Sequence, residues 1–118
     1  MAFKMNHLHI KTRDPEKTAK FYVETFGAKI VSQSPNGGYR VDLHGLSLNI
    51  SKFLDNQTRE QKYGMEHIAI DTDELDSLVE KLKVQGINIL EETVVSGGRR
   101  VCFFEGPDGV QLEFIEMK

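Results

Sequence analysis

Apolar and polar residues alternate over residues 6–12 and again over 66–72, the two-residue period of a half-buried strand. After the first stretch, Asp14-Pro15-Glu16 supplies a capping carboxylate, a proline suited to the first helical position and an acid in the first turn. A helix is therefore predicted, with Ala19, Tyr22, Val23 and Phe26 as its apolar positions and Gly27 as its left-handed end. The second helix follows 66–72 in the same way. Asp73 is placed to cap it, Leu75, Leu78, Val79 and Leu82 fall on one face, and Gly86 ends it. Further strands are predicted near 28–33, 38–44 and 46–52, and near 87–95, 98–104 and 110–116. The polar, aperiodic stretch Leu54–Gly64 reads as a linker, and Gly106-Pro107-Asp108-Gly109 as a turn into the last strand.

Strand, helix, then strands occurs twice because the sequence repeats itself. Met5-Asn-His7-Leu-His-Ile10-Lys-Thr12 lies over Met65-Glu-His67-Ile-Ala-Ile70-Asp-Thr72, and Gly37-Gly38-Tyr-Arg40-Val41 over Gly97-Gly98-Arg-Arg100-Val101, both at an offset of sixty. A gap of one residue between them aligns Asp14 with Asp73 and Gly27 with Gly86. Two copies of a unit this long fit a duplicated module, spanning about 1–53 and 64–118, better than a solenoid. One domain over residues 1–118 is expected, since a chain of this length buries enough surface to fold without staples.

Alternation also sorts the strand residues by face. Leu8/Ile10, Leu46/Leu48/Ile50, Ile68/Ile70 and Val110/Leu112/Phe114 are expected under the helices. The opposite face carries His7, His9 and Lys11, then Ser47, Asn49 and Ser51, then His67 and Asp71, then Gln111 and Glu113. Aligning Gly45 with Gly109 superposes Asn49 on Glu113, as the opening strands superpose His7 on His67. Imidazoles and a carboxylate converging from separate strands make an N/O site for a borderline divalent ion such as Fe, Mn, Ni, Co or Zn. His7, His67 and Glu113 are the expected ligands of one such ion. His9 has Ala69 as its counterpart and is assigned to the substrate or to support of a ligand. Lys11 or the pair Arg99-Arg100 is suited to a substrate carboxylate.

Composition narrows the classes of partner. The net charge is −3 and no basic run exceeds Arg99-Arg100, which argues against nucleic acid and anionic membrane. No apolar run approaches the ~20 residues that span a bilayer. The lone Cys102 makes no internal disulfide, and residues 1–6 lack the apolar stretch of a secretory signal, so a reduced, cytoplasmic chain acting on a small molecule is expected.

These residues resemble the vicinal oxygen chelate superfamily, which contains glyoxalase I, methylmalonyl-CoA epimerase, extradiol dioxygenases and the bleomycin and fosfomycin resistance proteins. The opening His7-Leu-His-Ile-Lys-Thr-Arg-Asp14 with Phe21-Tyr22 and Phe26-Gly27 resembles the first module of that family, and Gly64-Met-Glu-His67-Ile-Ala-Ile the start of its second. Phe103-Phe-Glu-Gly-Pro107-Asp108-Gly109-Val-Gln-Leu-Glu113-Phe-Ile-Glu116 resembles its closing strand. The resemblance implies an α+β fold of two βαβββ modules in tandem, their curved mixed sheet set around a metal cavity, with His7, His67 and Glu113 at ligand positions. It also implies a homodimer, because half-open curved sheets leave edges that pairing covers.

The function implied is a divalent-metal-dependent, glyoxalase-like enzyme related to lactoylglutathione lyase, chelating a small substrate through adjacent oxygens. Position 49 departs from the pattern. Glyoxalase I and the epimerase carry a carboxylate there, and asparagine cannot act as a base, so Asn49 is assigned to a metal oxygen contact or to the substrate. Proton transfer then falls to Glu113. Two histidines with one carboxylate also resemble the extradiol dioxygenase triad, which makes ring cleavage the alternative chemistry. A bleomycin-resistance-type binding protein without catalysis is the alternative of another class.

Overall fold

The computed structural model describes residues 2–117. Eight strands and two helices are arranged as β1 (Phe3–Lys11), α1 (Pro15–Phe26), β2 (Lys29–Gln33), β3 (Tyr39–Leu43), β4 (Leu46–Ser51), β5 (Gly64–Thr72), α2 (Leu75–Val84), β6 (Ile89–Val95), β7 (Arg99–Glu105) and β8 (Gln111–Glu116). This is an α+β chain in which βαβββ occurs twice. It divides into two compact units, residues 7–66 and residues 67–117 together with 2–6. The opening of β1 goes with the second unit, where Asn6 Nδ2 donates to Asp71 Oδ1 at 2.9 Å and Phe3 stacks on Phe114.

In the first unit the strand order is β2-β3-β4-β1. β1 runs parallel to β4 and the other neighbours are antiparallel. The Asp14 carboxylate caps α1 by accepting from the Lys17 amide, and Gly27 closes the helix at φ 72°, a conformation that costs other residues a steric penalty. α1 buries Ala19 against Ile10, Ala28, Val41, Leu48 and Ile50, with Leu8, Tyr22, Leu43 and Leu46 packed on them. Phe26, expected on the buried face, is instead exposed beside Phe21.

In the second unit the order is β5-β8-β7-β6, with β5 and β8 parallel. α2 buries Leu75, Leu78, Val79 and Leu82, the face that the spacing predicts. Cys102 is a buried packing residue against Leu75 and Val79, next to Ile89 and Phe114. The expected cap is corrected: Glu74 occupies the N-cap position without a side-chain bond, and the Asp73 carboxylate accepts from the Ala2 amide. Val110 is exposed because it follows the turn and precedes β8.

Two turns confirm the alignment that sequence made between the modules. His44 and Gly45 before β4 have φ 50° and 100°, and Asp108 and Gly109 before β8 have φ 61° and 84°. Such left-handed pairs favour a short polar residue followed by glycine. Asn49 and Glu113 each stand four residues beyond the glycine. Among the described residues no helix is long and apolar enough to cross a membrane.

Candidate metal centre

In the first unit β1 and β4 set up the polar face by register. His9 is the partner of Asn49, and Lys11 of Ser51. Asn49 in turn faces Arg40 on β3, and Arg40 faces Ser32 on β2, so one row crosses the sheet as His9, Asn49, Arg40, Ser32. His7, His9 and Lys11 are all buried, at 5, 9 and 1% exposure. The rings of His7 and His9 meet edge-on with centroids 5.4 Å apart. Ser51 Oγ lies 2.8 Å from His9 Nε2. The Asn49 side chain is turned along the row, its Oδ1 accepting from Arg40 Nε at 3.2 Å.

The second unit repeats the geometry with other residues. Ala69 is the partner of Glu113, Glu113 faces Phe103, and Phe103 faces Glu91. His67 stands one step back on the same face, beside Gln111. His67 Nε2 and Glu113 Oε1 are 3.1 Å apart, with both side chains almost wholly buried. Phe103 presents its face or edge to the imidazole at 5.2 Å and 89°. Ala69, Val101, Phe103 and Ile115 form an apolar cluster on this side, so the face expected to be polar is in part apolar beside His67, Gln111, Glu113 and Glu91. A carboxylate and an imidazole walled by apolar groups interact more strongly with a cation than they would in water. Buried imidazoles and a carboxylate are the donor chemistry of borderline divalent ions, and within each unit the buried donors, His7 and His9 in one, His67 and Glu113 in the other, are of the kind such an ion takes.

The remaining candidates fall elsewhere. Asp71 is committed to Asn6. Arg100 is held at the surface by Asp76 and Glu116, whose carboxylates raise its already high pKa further, so it braces α2 against β8. Lys11, assigned to a substrate carboxylate, is buried at 1% exposure. Two residues that sequence reasoning did not single out are prominent. Glu91 is a buried acid in the second row, hidden from a simple alternation by the register shift between Ile89 and Glu91. Arg59 lies in the supposed linker, yet its guanidinium pairs with Glu66 at 2.9 Å in a buried bridge. Glu66 also accepts from the Lys62 amide, so the segment before His67 is tied down.

Comparison with known proteins follows the same lines. The profile of the Glyoxalase/Bleomycin resistance protein/Dioxygenase superfamily matches residues 4–114. A lactoylglutathione lyase of Haemophilus influenzae is 29% identical over 95% of this chain and 91% of its own. The metallothiol transferase FosB of Lysinibacillus sphaericus is 32% identical over 93% of this chain and 79% of its own. Among solved structures, methylmalonyl-CoA epimerase from Mycobacterium tuberculosis superposes with a TM-score of 0.72 at 16% identity, covering 97% of this chain and 87% of the epimerase.

Proposed function

The chain belongs to the Glyoxalase/Bleomycin resistance protein/Dioxygenase superfamily, and from that premise we propose that it is a divalent-metal-dependent enzyme of the glyoxalase type. In this reading it acts on a small substrate through adjacent oxygens, as a lyase or isomerase related to lactoylglutathione lyase. The superfamily includes enzymes of several chemistries, and the two relatives above are named as a lyase and a metallothiol transferase. The observation that carries the reading is the buried His67–Glu113 pair, whose stations in the first module are filled by His7 and Asn49.

His7, His67 and Glu113 would hold the ion, which when bound supplies Lewis-acid polarisation of substrate oxygens. Glu113 is the proton-transfer group, because Asn49 at the matching station has no useful acid–base chemistry. Lys11, Asn49 and Arg40 share the face of the first module and supply hydrogen bonds and positive charge to orient a substrate. The apolar wall of Phe103, Val101 and Ile115 excludes water beside Glu113.

A homodimer in the reducing cytoplasm completes the proposal. Its support is the edge strand β2, exposed along its whole length, where Ile30 and Val31 stand more than half exposed, as do Phe21 and Phe26 of α1. Such an apolar edge is what pairing covers.

The test is chelator-stripped protein reloaded singly with Fe, Mn, Co, Ni or Zn and assayed without oxygen on the adduct of a 2-oxoaldehyde with glutathione, whose isomerisation gives a lactoylglutathione-type thioester, and in air on a catechol. Turnover restored by one or more ions is expected. Oxygen-consuming turnover of the catechol alone would replace the reading with ring-cleaving dioxygenation, and no turnover of the glutathione adduct with any ion would contradict the lyase assignment.

A further inference from the structure

We propose that the cleft between α2 and the strands β6 and β7 is a binding site for a small organic cation, an ammonium group carried on a compact apolar body. The cleft lies wholly within the second unit. Cys102 and Phe114 mark the side of the strands it occupies, while Phe103 and Glu113 point to the other, so the proposal is independent of the metal reading. α1 covers β2, β3 and β4, whereas α2 packs most closely on β8. The second helix, of ten residues, therefore leaves β6 and β7 partly uncovered, and Val94 on the edge strand β6 stands 57% exposed. A cavity of about 490 Å³ remains there, within the roughly 300–1,000 Å³ of small-molecule sites.

The floor of the cleft is apolar, with Leu75 and Val79 from α2, Cys102 from β7 and Val94 from β6. Its rim is charged, and most of the charges are already engaged. Arg100 pairs with Asp76 and Glu116, and Lys83 reaches Glu92 at 4.0 Å. Glu80 lies four residues after Asp76 and three before Lys83, on the same side of the helix. Among the described residues its carboxylate takes no hydrogen bond and no ion pair. The acids of the cleft, Asp76, Glu80 and Glu92, outnumber its cations, Lys83 and Arg100, and Glu116 adds another acid at Arg100. The floor feels the same sign, because Glu92 raises the pKa of the Cys102 thiol more than Lys83 lowers it. An anionic ligand would meet this surplus and find both cations occupied. An ammonium instead meets Glu80 beside a wall of low dielectric, where the attraction exceeds its value in open water, and the apolar body covers Val79 and Val94.

The test titrates isotopically labelled, full-length protein with 2-phenylethylammonium and with 3-phenylpropanoate, an anion of similar shape, while backbone amide shifts are followed. The ammonium is expected to shift the amides of Val94, Val101 and Cys102 saturably, with a millimolar Kd, and the propanoate to leave them unmoved. Glu80→Gln, at an exposed helix position, is expected to weaken ammonium binding by roughly fivefold, and added salt to weaken it in the wild type. No saturable shift, equal binding of the two probes, or unchanged affinity in Glu80→Gln would overturn the proposal. So would shifts at this cleft that follow protein concentration with no probe added, which would make it a contact between copies of the chain.

Discussion

Arg59 and Glu66 form an ion pair at 2.9 Å with their side chains 1 and 0% exposed, in a stretch whose composition reads as linker. Removing one partner strands the other charge in a place water does not reach. Arg59→Ala is expected to destabilise the protein by about 3–5 kcal/mol, whereas replacing both partners by apolar residues of similar volume should cost far less. Urea unfolding of the single and double variants measures the difference. Glu66 directly precedes His67, so the single variant should also weaken metal binding in the protein that remains folded.

Cys102 gives a prediction of the opposite kind, about a group that does nothing chemically. Burial, with Glu92 adding to it, pushes the thiol from 9.0 up to about 11. Folded protein should resist alkylation at any pH below that range and react once denatured. Because the folded thiol keeps its proton between about 9 and about 11 while the unfolded one loses it, its contribution to stability is full below that window and falls as pH rises through it. Cys102→Ala should remove that slope from the melting temperature without moving metal content.

Asn49 and Arg40 should behave as a coupled pair. Asn49→Glu restores the carboxylate of the family pattern, but a guanidinium waits for it, so the single variant should change metal affinity little. Asn49→Glu with Arg40→Ala should bind metal more tightly and turn over more slowly, by filling a coordination position that substrate needs. Calorimetry on the four proteins is expected to give a coupling of about 0.5–3 kcal/mol. Additive effects would show that the two side chains act independently in solution.

The exposed edge at β2 predicts the assembly state. Val31→Lys places a charge on that edge, the device by which natural sheets discourage pairing. Sedimentation at micromolar concentration should find a dimer for the wild type and a shift toward monomer for the variant. A monomeric wild type would remove the dimer from the account.

What was legible in the sequence was local or repeated. The alternation gave His7 and His67 the same station in their own modules, and the glycine alignment that matched Asn49 with Glu113 is upheld by register, since His9 pairs with Asn49 as Ala69 pairs with Glu113. What escaped was set by register shifts and long-range pairs. The sixty-residue offset aligns Arg40 with Arg100, yet the strand pairing puts Phe103 in the place of Arg40, because the second hairpin is longer. Glu91 lies beyond a bulge, where counting by twos loses phase. Arg59 is buried by a partner seven residues away, which no periodicity encodes. Asp73 has the residue type of a cap but is drawn to the Ala2 amide, so chemistry alone misplaced it.

The central claim is that His7, His67 and Glu113 hold one divalent ion, and metal content measured against affinity tests it most directly. Wild type, His7→Ala, His67→Ala and Glu113→Ala are stripped, titrated with Co(II) or Zn(II) and dialysed before elemental analysis, with circular dichroism confirming the fold. About one ion per chain is predicted for wild type, and each substitution should weaken binding by more than the roughly 10–100-fold that loss of an outer partner costs. Equal metal content and affinity in all four proteins would contradict the claim.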